Sequence, residues 1–343
     1  MVFTTHVSPT DIFAVGVVPF ILSTTSVIGR IMLQAFRFDY FVRKFIGNNV
    51  SSTSKIITVR LAGEFVTQTT PSYVGGEIVR IAFLTKNGVL PGNAAWVTTM
   101  EIIADVFVGT VLAFIAGGIA LFRGNDFIGI AVILVAVPTF VFWLLLLIFS
   151  AKRTLRLPSF STKLLQKFIP PRRAEQLVSS TNNAIFDLCK MSRQNFNSIW
   201  AVKIFSMGLA ITFIAFLLQG VSFLILANAV GFRLGLFDSL MATSASTALS
   251  TLPITVGGSG LAELGIWAYT SHFTGIPSFA NIVKDSHLSL IVAWRIASYH
   301  VPLIIMWVAL MKVTTTKNSF RSLAKKFDSH NRGSTSRTED GRS

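Results

Sequence analysis

Of 343 residues, 52% are hydrophobic and 13% charged, with fifteen acids against thirty bases and thirty phenylalanines; soluble domains carry about 25% charge. So few charges cannot supply the polar surface that a water-soluble chain of this length needs. The composition excludes an ordinary cytosolic enzyme, a disordered chain and a fibrous one, and leaves an all-α polytopic integral membrane protein.

A spanning helix needs about 20 mostly apolar residues. The first uncharged run is Ile12–Gly29. It has no basic flank before it and is followed by Arg30, Arg37, Arg43 and Lys44, so it reads as an uncleaved anchor with its N-terminus outside. Val106–Phe122 and Phe127–Ala151 form a hairpin turning at Arg123–Asp126. Ile204–Phe232 and Ile296–Met311 follow, the last extending back through Leu288–Trp294 if Arg295 is accepted inside the membrane. Pro19 and Pro138 fall within two of these runs, where lipid-embedded helices tolerate a kink.

The bases cluster by segment. Residues 30–60 hold six bases and one acid, 151–200 nine and two, and 312–343 eight and three. Basic loops of this kind lie on the cytoplasmic side and attract anionic headgroups, which points to membrane topology and away from nucleic acid. The chain is thus expected in the cell (inner) membrane with its C-terminus cytoplasmic. Two apolar stretches, 56–84 and 239–270, are interrupted by proline and paired glycines. If the basic loops are inside, each stretch must leave and return on one face, the first from inside and the second from outside. Both are therefore expected to be re-entrant hairpins.

Their break points repeat: Pro71-Ser72-Tyr73-Val74-Gly75-Gly76 and Pro253-Ile254-Thr255-Val256-Gly257-Gly258 share P-x-x-V-G-G, each followed by an acid, Glu77 or Glu263. Inverted repeats with broken helices meeting at the midplane are a transporter architecture. The expected layout is a membrane domain over 1–312, with repeat one at about 56–151, an interfacial linker at 152–200 carrying Lys167, Arg172 and Arg173, and repeat two at about 201–312. A basic tail, 313–343, follows. Half-helices beginning near Gly76 and Gly260 would aim positive dipole ends at the centre, where a lipid phosphate is a natural partner. Glu77 and Glu263 can cap those ends, contact a ligand, or do both.

Six charges lie in or beside the spans: Glu77, Arg80, Glu101, Asp105, Glu263 and Arg295. Each costs about 2.5–3.5 kcal/mol at full depth if unpaired, so they must pair, sit near an interface or face a wet cavity. Glu101 and Asp105 share one helix face at i and i+4, and a bridge from Arg295 to either would be structural. Four acids against two arginines suggest a cationic or zwitterionic headgroup, or protons. His300 is expected to be neutral, buried and bonded to a backbone carbonyl.

Catalytic signatures are absent: no G-x-x-x-x-G-K-[ST] and no H-E-x-x-H occurs. Gly258–Gly265 lacks the third glycine and the preceding strand of a dinucleotide site. The sequon at Asn49 falls in a cytoplasmic loop, and so does Cys189, whose solitude excludes an intramolecular disulfide and a multi-cysteine metal site. No cofactor is implied, and the chain is not expected to be an enzyme.

The series Pro71…Gly75-Gly76-Glu77-Ile78-Val79-Arg80, Glu101-x-x-x-Asp105, Pro253…Gly257-Gly258-Ser259-Gly260-Leu261-Ala262-Glu263 and Arg295-x-x-x-Tyr299-x-x-Pro302 resembles the transmembrane domain of lysylphosphatidylglycerol synthetases, a flippase-like family that also occurs as stand-alone prokaryotic proteins. The resemblance covers about residues 10–312. It implies translocation of a phospholipid or related amphiphile between leaflets, with Glu77, Arg80, Glu263 and Arg295 lining a headgroup cavity. Val256 stands where the family often has proline, and Ile102 where arginine is common. The soluble aminoacyl-transfer domain has no counterpart, so a lipid-modifying partner enzyme would be separate. Partners expected are membrane lipids with anionic or zwitterionic heads and, for assembly, a second copy of the chain. A secondary transporter of a small polar solute and an accessory subunit of lipid glycosylation are the alternatives.

Overall fold

A computed structural model describes residues 15–70, 75–152, 166, 170–196, 198–252, 255–273 and 285–315. Among these there is no strand. The helices are α1 (Val17–Phe45), α2 (Thr53–Thr69), α3 (Gly76–Lys86), α4 (Pro91–Phe122), α5 (Asp126–Lys152), α6 (Pro171–Phe196), α7 (Ile199–Ala229), α8 (Leu236–Ser250), α9 (Leu261–Phe273), α10 (Asp285–Arg295) and α11 (Val301–Thr315). A π-helical turn, Ile296–His300, joins the last two. The prolines of both glycine motifs, Pro71 and Pro253, and residues 316–343 of the tail lie outside the described residues.

Five helical stretches are long and apolar enough to cross a membrane: Val17–Phe45, Pro91–Phe122, Asp126–Ser150, Ile199–Ala229 and Ser289–Thr315. They coincide with the five uncharged runs. Their outer faces carry bare apolar side chains, such as Phe122, Phe127, Leu134 and Ile199. In water these would form sticky patches; against lipid tails they need no cover. Pro138 sits inside α5, and Pro91 opens α4 at its first turn, where the missing N–H costs nothing.

The first helix departs from expectation. It continues past Gly29 to Phe45, so Arg30 and Arg37 stand within it rather than in a loop. α1 packs most extensively on α7. Serine and arginine hold that seam: Ser23 Oγ lies 2.7 Å from Ser222 Oγ, Ser26 donates to the Leu218 carbonyl at 2.8 Å, Arg30 bonds Gln219, and Arg37 bonds Thr212. In hydrocarbon such polar side chains pair across helices because no water is available. Arg60, counted with the same basic loop, is buried inside α2. Of the six bases in 30–60, only Arg43, Lys44 and Lys55 remain at the helix end and loop.

Of the expected linker at 152–200, the described part Pro171–Phe196 is helical, and Cys189 is not a loop thiol: it is buried in α6, which packs on α4 and α5. The thiol is inert for want of access.

Two helix pairs are broken at the glycine motifs. α2 and α3 pack together, and their outer ends return to one place, since residues Ile46–Val50 and Asn87–Leu90 line a common crevice. α8 and α9 also pack together. α8 begins beside the α4–α5 turn, where Arg123 Nη1 lies 3.3 Å from Asp238, and Tyr269 near the end of α9 is in electrostatic reach of both. Because α4 runs from Pro91 to Phe122, the two pairs start from opposite ends of it.

Candidate functional site

Seven of the interior charges form one connected set. Asp105 accepts from both Arg37 Nη1 and Nη2 at 2.7 Å. Glu101 is fully buried and accepts from Arg80 Nη1 at 2.6 Å, from Arg60 Nε, and from Arg37 Nη2 at 3.5 Å. Arg60 also bonds Glu64, which receives Gln68 at 2.9 Å, and Arg80 reaches Glu77 at 3.2 Å. Glu101 and Asp105 do share a face, as their spacing predicts. Their partners, however, are Arg37, Arg60 and Arg80, and Arg295 touches neither.

Arg295 pairs instead with Glu263, Nε to Oε1 at 2.8 Å. Its Nη2 donates to the Gly257 carbonyl, and its guanidinium lies 4.4 Å from the centre of the Tyr299 ring. The two broken pairs match in detail. The Gly75 N–H donates to Glu77 Oε2 at 2.9 Å, and the Gly260 N–H donates to Glu263 Oε2 at 2.7 Å. Each glutamate therefore caps its own half-helix and binds an arginine at once. These caps satisfy orphan N–H groups that lipid could not.

Glycine is required where these segments close. A Cβ on Gly76 would fall on the Gly63 carbonyl of α2, and one on Gly257, at φ +61°, would fall on the Tyr299 hydroxyl. Tyr299 in turn donates to the Gln68 carbonyl at 3.1 Å. The π turn thus ties the tip of the first broken pair to the break in the second; π turns often mark functional positions. Gly257→Ala should displace the Tyr299 ring and lower the melting temperature by several degrees, on the order of 1–3 kcal/mol for strain plus overlap. Tyr299→Phe in that background should recover little, because the clash extends to ring carbons. Thermal melts in detergent of the wild type and both variants check this.

A cavity of about 290 Å³ lies among α1, α2, α4, α5, α7, α8 and α10. Its lining is mixed: Arg30, Gln34, Glu64, Gln68, Asp105, Gln219, Arg295 and Tyr299 are polar, and Val106, Ala113, Val135, Ala136 and Phe216 are apolar, with Thr110, Thr139 and the serines and threonines of α8 among them. Arg30 and Asp105 are near the middle of α1 and α4, so charged groups meet the cavity at mid-bundle. Asp105 retains 31% side-chain exposure although Arg37 has none; its open edge faces the cavity.

Of the residues singled out from the sequence, Asp105 and Arg295 line this cavity. Glu77, Arg80, Glu101, Gly75, Gly76, Gly257, Gly258, Gly260 and Glu263 do not; they brace it from behind or form the breaks. Arg30, Gln34, Glu64, Gln68, Gln219 and Tyr299 were missed. Arg30, like Arg37 and Arg60 in the layer behind, reads from the sequence as loop charge. The signal that could have found the arginines is their spacing: Ser23, Ser26, Arg30 and Arg37 fall at helical intervals on one face. With them included, the interior balances, five arginines (30, 37, 60, 80, 295) against five carboxylates (64, 77, 101, 105, 263). The acidic excess disappears. His300 reaches the Arg295 carbonyl at 3.3 Å, but it is exposed rather than buried. Among the described residues no His, Cys, Asp and Glu group could hold a metal ion.

Comparison with known proteins gives two findings. The family model described as lysylphosphatidylglycerol synthase TM region matches residues 6–305. A "UPF0104 membrane protein" of Archaeoglobus fulgidus is 25% identical over 278 residues, covering 78% of each chain.

Proposed function

The chain belongs to the lysylphosphatidylglycerol synthase TM-region family, and from that premise we propose that this multi-pass membrane protein moves the polar head of a membrane amphiphile between leaflets. The observation that carries the reading is the cavity's mixed wall: charged and amide groups at mid-bundle together with aliphatic and aromatic groups. A polar head needs the first to leave water, and an acyl chain is at home on the second. Ionisable groups inside a membrane are costly and mark substrate paths.

In this reading α2–α3 and α8–α9 are re-entrant hairpins belonging to two inverted repeats. Support comes from their starting at opposite ends of α4 and from their matched glutamate caps. The termini would lie outside (N) and inside (C). Accessibility labelling tests this in a Cys189→Ala background. Cysteine at Asn125 or Arg233 should react with an impermeant reagent from outside, and cysteine at Asn48 only after permeabilisation. Outside labelling at position 48 would overturn the inverted arrangement.

The transport reading itself is tested with purified protein in liposomes carrying a fluorescent lipid in both leaflets. Protein-dependent quenching beyond the outer half by an impermeant reductant is the expected result. Quenching that stops at half, in liposomes containing folded protein, would refute it.

A further inference from the structure

Resting on the reading of the cavity as a headgroup site, we infer that the preferred headgroup is uncharged and rich in hydroxyls. An anionic or zwitterionic head was expected from two features: open helix ends for a phosphate, and an acidic excess for an ammonium. Neither is present. Glu77 and Glu263 occupy both glycine-motif helix ends with their own carboxylates. The two arginines on the cavity wall face two carboxylates, Glu64 and Asp105, so the wall has no net charge.

The lining charges already have work within the protein. Asp105 holds Arg37 through both oxygens, Glu64 holds Arg60, Arg295 holds Glu263, and Arg30 bonds the side chain of Gln219. A phosphate arriving at Arg295 would compete with Glu263, and an ammonium arriving at Asp105 would compete with Arg37. Both substitutions exchange a built pair for a new one while dehydrating an ion. A hydroxyl does not compete: it donates to a spare carboxylate lone pair and accepts from an N–H, leaving the pairs intact.

The wall also offers amides. Gln34 donates to Asp105 at 3.4 Å and Gln68 to Glu64 at 2.9 Å, so these bonds use only the NH2 ends of both amides. Among the described residues their Oε1 atoms take no donor from the protein, and a hydroxyl can supply one where a phosphate oxygen cannot. Phe216 and Tyr299 also line the same space. The volume of about 290 Å³ holds several water-sized groups, room for a polyol head.

The test uses the full chain in detergent and in liposomes with three probes of matched acyl chains: monoglucosyl diacylglycerol, phosphatidylglycerol and phosphatidylcholine. Native mass spectrometry reads binding, and fluorescent analogues read exchange. The glucosyl lipid should be retained about tenfold better than either phospholipid. Gln34→Met and Gln68→Met should each lower its binding about three- to tenfold, the worth of one buried hydrogen bond, with little change for phosphatidylcholine, whose head has no hydroxyl. Equal or tighter binding of either phospholipid to the wild-type protein would overturn the inference, and so would unchanged glucosyl-lipid binding in both folded variants. The wild-type comparison stands even if a variant fails to fold. Selective binding without exchange would refute transport and leave the headgroup assignment standing; exchange without selectivity would do the reverse.

Discussion

Glu101→Leu should be the most damaging single substitution in the interior, costing about 3–5 kcal/mol of stability. Glu101 has no exposed surface and accepts from Arg60, Arg80 and Arg37 together. Removing it leaves three guanidiniums at the junction of α1, α2, α3 and α4 with one carboxylate fewer than they need. Each keeps one other partner, Asp105, Glu64 or Glu77, which limits the loss but does not cancel it. In equilibrium terms this is a factor of about a hundred or more, visible as a large fall in melting temperature and in the yield of monodisperse protein. Glu101→Gln preserves shape and one set of acceptor lone pairs and should fall between. A melting temperature for Glu101→Leu within a degree or two of wild type would show that the cluster is not a structural hub. The sequence leaves Glu101 and Asp105 open between pairing and facing a wet cavity; burial assigns Glu101 to holding the arginines and leaves Asp105 at the cavity.

The second large effect is on transport. Arg295→Ala should reduce lipid exchange by at least about tenfold while costing less stability than loss of Glu101. The reason is exposure. Glu263 keeps 26% of its side-chain surface and still receives the Gly260 N–H, so losing Arg295 does not strand a fully buried charge. What is lost is the group that lines the cavity and joins Glu263, the Gly257 carbonyl and the Tyr299 ring. Arg295→Lys should rescue poorly, because an ammonium is a point charge without the planar fork that meets three partners. The double variant Glu263→Gln/Arg295→Gln separates the roles. It should regain stability without regaining exchange. Recovery of both would make the pair purely structural and remove Arg295 from the site.

A charged cavity wall balanced by a second layer also explains how a bundle with so much polar side chain persists in lipid. Ten ionisable groups at full depth would be prohibitive singly, but here each carboxylate has a guanidinium within bonding distance. Arginine suits this role, since one fork can serve two carboxylates, as Arg37 and Arg60 do.

Composition and hydropathy by themselves determined the membrane class, the helical fold and the five long apolar helices, because each depends on local length and on the mean polarity of a window. The two glycine motifs likewise showed where the chain would break: only glycine accepts the positive φ at Gly75 and Gly257. The caps by Glu77 and Glu263 were readable for the same reason, being bonds within three residues. The partnerships of the arginines were decided only by tertiary structure. Arg37 meets Asp105 across 68 residues and Arg30 meets Gln219 across 189, and no local pattern distinguishes a basic residue destined for the interior from one in a cytoplasmic loop. An arginine declares its place through the partner that folding brings to it, since burial is tolerable only once that partner has arrived.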